Sequence, residues 1–168
     1  MKTKNFIHEG QVDECKANRI DHFFSSFNIA TILNRCRIRK AKGFAAKDIF
    51  FTLFAVSFFE NSFYHDVIDN EDIEFGKDAI YDFLKRETFN WRKFTLCLAV
   101  QLIMFFEKLT SKQREKVLIV DDSTLERPRS KMVELLARVR DHKEKKYLKG
   151  FRLLSVCWSD GASFLPLD

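Results

Sequence analysis

Val117-Leu118-Ile119-Val120-Asp121-Asp122-Ser123-Thr124 is the stretch on which the reading of this chain turns. Its four apolar residues, mostly β-branched, predict a short strand buried on both faces. The strand is expected to end where the carboxylates and hydroxyls begin. Charged groups at the end of a buried strand are costly unless paired, and a divalent cation is the usual partner of clustered carboxylates. Everything on the N-terminal side reads as helix, and the C-terminal side reads as more sheet.

Downstream, Arg127-Pro128-Arg129-Ser130-Lys131 is a basic loop that Pro128 keeps from being helical. Met132–Val139 predicts a short helix with Val133, Leu136 and Ala137 on one side. Asp141–Lys149 is strongly basic, with His142, Lys143, Lys145, Lys146 and Lys149. Phe151–Trp158 predicts a strand, Asp160-Gly161 a tight turn, and Ala162–Leu167 a returning strand.

Upstream, Val12–Phe27 carries Ile20, Phe23, Phe24 and Phe27 at helical spacing. Asn28 is a candidate cap for a second helix, Ile29–Arg37. Arg35, Arg37, Arg39, Lys40 and Lys42 form a basic knot ending at Gly43, either a solvated turn or a phosphate-contacting patch. A helix-turn-helix near Arg35–Ile49 is a further reading of this region. Ala45–Glu60 is apolar nearly all round and predicts a central helix, with Asn61–Asp69 as a short continuation and Asp69–Asp72 as an acidic loop. Lys77–Arg86 predicts a helix with Ile80, Phe83 and Leu84 inward, and Asn90 a cap for a long helix, Trp91–Leu109. Nothing before the central strand alternates with period two. The expectation is an all-helical domain over residues 1–115, followed by a second domain over 116–168.

The chain has 168 residues, enough for one domain or for a small domain and part of another. A net charge of +5 favours an acidic partner, nucleic acid before an anionic membrane. Cys15, Cys36, Cys97 and Cys157 are far apart, as are His8, His22, His65 and His142, so no zinc-ligand spacing is present. Cys97 and Cys157 sit in apolar runs and read as buried free thiols, which suits a reducing cytoplasm. Met1–Gly10 has no apolar core segment of the signal-peptide kind. Ile49–Phe59 and Phe94–Phe106 are shorter than the ~20 residues a membrane span needs.

About the last third of the chain resembles the IS4-type DDE transposases of bacterial insertion sequences. The matching residues are Ile119-Val120-Asp121-Asp122-Ser123-Thr124, Arg127, Arg129-Ser130-Lys131, Val133–Val139, Asp141-His142, Tyr147–Arg152 and Trp158–Pro166. The helical part matches only as the leading domain such enzymes carry. The resemblance implies an α+β chain in which a helical, DNA-contacting domain precedes the first strand and β-hairpin of an RNase H-like catalytic core. It implies two Mg²⁺ (or Mn²⁺) ions held by two Asp and one Glu, cutting and joining DNA at the element ends. By the family pattern Asp122, before Ser123-Thr124, is the first Asp of the triad and a metal ligand. Asp121 is the alternative, because successive strand residues face opposite ways.

Arg127, Arg129 and Lys131, and then Lys143, Lys145, Lys146 and Lys149, are the expected contacts to the DNA backbone. For the second group a solvated edge guarded by lysines is the competing reading. Asp160 and Asp168 come too early to be the second catalytic Asp, so the remaining triad members are not expected within these residues, and the product alone is expected to lack strand transfer. Duplex DNA, a homodimer or a complex with a full-length transposase are the implied partners, in the bacterial cytoplasm at the nucleoid and away from membranes. The alternative is a non-catalytic DNA-binding or dimerising regulator of the intact transposase, or an inactive remnant.

Overall fold

The structure is a computed structural model that describes residues 11–40, 42–58, 75–111 and 113–168. The expectations for Met1–Gly10, Asn61–Asp69 and the acidic loop Asp69–Asp72 lie outside the described residues. The elements are α1 (Gln11–Ser26), α2 (Ile29–Arg35), α3 (Ala46–Val56), α4 (Lys77–Leu84), α5 (Trp91–Leu109), β1 (Val117–Glu126), β2 (Ala137–Arg140), β3 (Tyr147–Ser159) and β4 (Phe164–Pro166). The class is α+β, helices first and a small antiparallel sheet after them. The chain divides into two compact units, Met1–Leu102 and Ile103–Asp168.

The helical unit is organised by its phenylalanines. Phe23 stacks on Phe54 at 5.8 Å, Phe24 meets Phe51 edge-on at 4.8 Å, and Phe50 meets Phe94 edge-on at 5.1 Å. Offset and edge-on pairs of this kind add to the energy of burial. Around them Ile29, Ile32, Leu33, Ile38, Ile49, Ile80 and Phe83 are fully buried. The helix Ile29–Arg37 expected from sequence stops at Arg35. Arg37 adopts a left-handed conformation (φ 61°), its N–H bonds the carbonyl of Asn34, and the Ile38 N–H bonds that of Leu33. This is a Schellman ending, and its apolar clasp is the buried pair Leu33 and Ile38. The basic knot is thereby split: Arg35, Arg37, Arg39 and Lys42 stay exposed, while the mostly buried Lys40 lies 3.6 Å from Asp82.

Two expected caps come out differently. Asn90 caps α5 as expected, its Oδ1 accepting from the Lys93 N–H at 2.9 Å. Asn28 instead takes the left-handed conformation that Asn tolerates, and its side chain makes no cap bond. Leu84, expected inward, is 51% exposed, because two-turn α4 buries only the stripe of Ile80 and Phe83 and Leu84 falls at its end. Cys36 and Cys97 are free thiols in contact; burial raises the Cys36 pKa first, and the neighbouring Cys97 thiol adds to it. Cys157 is buried and Cys97 half-buried.

The sheet unit departs further from expectation. β1 does not end at the carboxylates but runs through them to Glu126. Nor is it buried: Leu118 is 66% and Val120 63% exposed. The reason is topological. The strand order is β1-β3-β2 with β4 also on β3, so β1 is an edge strand, and it is exposed along nearly all its length. β3, expected over Phe151–Trp158, is the central strand, pairing with β1 from Gly150↔Glu126 to Ser159↔Val117. The helix expected over Met132–Val139 is absent. Ala137-Arg138-Val139-Arg140 alternates with period two and pairs with β3 as β2, while Leu135 just before it is left-handed (φ 60°). Residues 127–136 therefore carry the chain from one edge of β3 to the other. Gly150 lies where β1 and β2 both meet β3, and a Cβ there would sit 2.2 Å from the Leu125 carbonyl oxygen.

Asp160 makes the turn between β3 and β4. Its Oδ1 accepts from the Ser163 N–H at 2.6 Å and the Ala162 N–H at 3.1 Å, and Gly161 supplies the left-handed residue (φ 85°). Arg114, ahead of β1, reaches the other oxygen at 3.3 Å. The Ser163 and Ala162 N–H bonds, with Arg114 beside them, hold this carboxyl below the usual carboxylate range. A depressed folded pKa stabilises above the ordinary carboxylate pKa, and that stability is lost as pH falls through the lower folded value. Asp160→Asn is therefore expected to lower the urea midpoint at neutral pH, with the gap from the parent closing in acid. A gap independent of pH would show that the carboxylate charge is not what matters.

Candidate functional site

The phase of the β-pleat separates the two candidate carboxylates. Asp121 is paired with Ser155 and Asp122 with Leu154, so they project to opposite faces of β1. Both are exposed. Asp122 is the engaged one: Arg152, its diagonal neighbour on β3, places Nε 3.0 Å from Asp122 Oδ1. The same guanidinium donates through Nη2 to Nε2 of His142, in the turn before β3. Asp122, Arg152 and His142 thus form a chain of polar contacts from the edge strand to that turn.

Asp121 and Asp122 do not together form one divalent-cation site. Two carboxylates on opposite faces cannot chelate one ion, and the carboxylate of Asp122 already faces a guanidinium. Among the described residues no group of three His, Cys, Asp or Glu side chains converges.

The expected DNA contacts fall in two places. Arg127, Arg129 and Lys131 are exposed in the segment that crosses β3, and the Arg127 N–H bonds the Lys149 carbonyl at 2.7 Å. Because β1 continues past the carboxylates, Arg127 lies about 17 Å from Asp122 along the strand direction at the usual rise per residue, not directly beside it. Lys143, Lys145 and Lys146 occupy the turn between β2 and β3, where Lys146 pairs with Glu144. Asp141 builds that turn, its Oδ1 accepting from the Lys143 and Glu144 N–H groups at 2.8 and 3.2 Å. Those bonds, Glu144 first, lower its pKa. Lys149 is a strand residue of β3, paired with Arg138.

Comparison with protein-family models, curated proteins and solved structures returns no match. No helix among the described residues is long and apolar enough to cross a membrane.

Sequence reasoning missed Arg152 as the partner of Asp122, and Arg138 and Arg140 as members of the basic surface. For the latter two the signal was the period-two alternation Ala137-Arg138-Val139-Arg140, masked by the helical spacing of Val133, Leu136 and Ala137.

Proposed function

We propose that the chain is part of a DNA transposase of the IS4 type, with residues 116–168 contributing the start of an RNase H-like catalytic core. The observation that carries the reading is the Asp121-Asp122-Ser123-Thr124 run within β1, paired to β3 in an antiparallel β1-β3-β4 arrangement. An RNase H-like core opens with a strand bearing a carboxylate and then a hairpin, and this order is compatible with that. Basic segments after β1 and β2 support a polyanionic substrate. In this reading Asp122 supplies the first carboxylate for Mg²⁺ or Mn²⁺, and duplex DNA at the element ends is the partner. A homodimer, or a complex with a full-length transposase, acts at the bacterial nucleoid. Ions held by Asp122 would supply charge stabilisation at the reacting phosphodiester. Arg127, Arg129, Lys131, Lys143, Lys145, Lys146 and Lys149 hold the duplex backbone.

The test is an assay of the intact transposase on its element-end DNA, with and without Mg²⁺. Metal-dependent cleavage at the ends is the expected result. A second reading, a non-catalytic DNA-binding or dimerising regulator, is favoured by the engagement of Asp122 with Arg152. End binding with no metal-dependent nicking under any divalent ion would select it.

A further inference from the structure

The β2–β3 pair is an amphipathic two-stranded ribbon. Its register sets Arg138 opposite Lys149 and Arg140 opposite Tyr147. Alternation then puts Arg138, Arg140, Tyr147 and Lys149 on one face and Ala137, Val139, Leu148 and Gly150 on the other. On the second face Val139 and Leu148 are half-buried, Gly150 is buried and Ala137 is exposed. The first is exposed throughout, with Tyr147 58% exposed and the Arg138 guanidinium 4.7 Å from its ring centroid.

Two like charges directly opposite each other on a ladder are unfavourable unless something neutralises them. Here no described carboxylate does so. Asp141 is committed to the turn, Glu144 pairs with Lys146, and Glu126 lies on the other face of the sheet. Arg140 and Lys149 enter no ion pair among the described residues. The ribbon is held in shape nonetheless: the Asp141 N–H bonds the Lys146 carbonyl at 2.8 Å, and left-handed Lys145 (φ 55°) closes the turn.

We propose that this face, Arg138, Arg140, Tyr147 and Lys149, is a docking surface for the sugar-phosphate backbone of duplex nucleic acid. A surface of fixed cations with one amphipathic ring meets a phosphate backbone directly, and a two-stranded ribbon is narrow enough for a major groove. Membrane binding needs apolar side chains to insert, and this face offers two arginines, one lysine and a single amphipathic ring. The docking surface deepens the proposed function, resting on it for the choice of duplex DNA, and separates the ribbon face from the lysines at its tip.

The experiment is fluorescence anisotropy of the full chain on a short duplex of arbitrary sequence, titrated with salt. Three proteins are compared with the parent, each checked for folding by circular dichroism. Arg138→Gln, Arg140→Gln and Lys149→Gln together are expected to weaken binding about tenfold or more and flatten the log–log salt slope by roughly two to three, at ~0.9 per phosphate contact. Lys77→Gln, Lys85→Gln and Lys108→Gln, exposed positions with the same total charge change, are expected to leave the slope as it was. Arg138→Lys with Arg140→Lys keeps the charge and is expected to keep the slope, which makes it the informative variant if the glutamine triple fails to fold. Equal flattening by both glutamine triples overturns the proposal, as does loss of slope in the lysine variant. So does tighter binding to anionic vesicles than to the duplex. An unchanged slope in the ribbon triple overturns the ribbon alone, whereas a parent chain that does not bind duplex DNA overturns the proposed function with it.

Discussion

On the proposed function, Asp122→Ala is expected to reduce Mg²⁺-dependent strand cleavage by at least about a hundredfold, since loss even of groups that only orient metal ligands costs ~10–100-fold. Binding of element ends is expected to change little, because the basic residues proposed to hold the duplex lie elsewhere on the sheet unit. The informative companion is Asp121→Ala. The two side chains are on opposite faces of one strand, so at most one of them can face a given reacting phosphate. Cleavage by Asp121→Ala close to the parent rate, with Asp122→Ala inactive, is the expected pair of results in a gel-based nicking assay. The reverse pattern would move the role to Asp121, and two active variants would remove this strand from the chemistry. Arg152 gives the experiment a second arm. It shares the face of Asp122, so Arg152→Gln frees that carboxylate without touching Asp121.

Phe83→Ala is expected to cost ~3–5 kcal/mol of stability, the usual range for deleting a buried aromatic ring. Phe83 is fully buried, and its ring meets Phe89 at 5.2 Å and Trp91 at 5.6 Å, both edge-on. Removing it leaves a cavity where α4, the turn after it and the start of α5 come together. A loss of that size consumes a large part of the ~5–15 kcal/mol typical of a domain. Chemical denaturation monitored by tryptophan fluorescence reads it directly, since Trp91 lines the cavity. Leu84→Ala, one residue on and half-exposed, is the control and is expected to cost under about 1 kcal/mol. Comparable losses at the two positions would mean that the inward stripe of α4 has been misidentified.

The helical half was legible because its signals are local. Asn90 and the spacing of Phe94, Leu98 and Leu102 specify a cap and a face within one helix, and α5 spans Trp91–Leu109 as read. Helix ends were less legible where the stop depends on tertiary burial. Nothing in Arg35-Cys36-Arg37-Ile38 marks the left-handed turn, which is favoured once Ile38 can fold back onto Leu33. The sheet was read with the correct turn at Asp160-Gly161 but the wrong environment. An apolar run predicts burial only if something covers it, and the coverage of β1 is not a property of β1. The candidate site was half legible for the same reason. Asp121 and Asp122 stand out as residue types. Which one Arg152 reaches depends on pairing with a strand about thirty residues later, and ladder register is a non-local quantity.

That register makes Gly150 more than a steric detail. Sliding β1 along β3 by a single residue would invert the pleat phase, bringing Asp121 to the side where Asp122 now stands. The crowded crossing at Gly150, where β1 leaves no space for a side chain, acts as an index mark for the ladder. The identity of the carboxylate offered to each side of the sheet is thus encoded partly by the absence of a methyl group far from either aspartate in the chain.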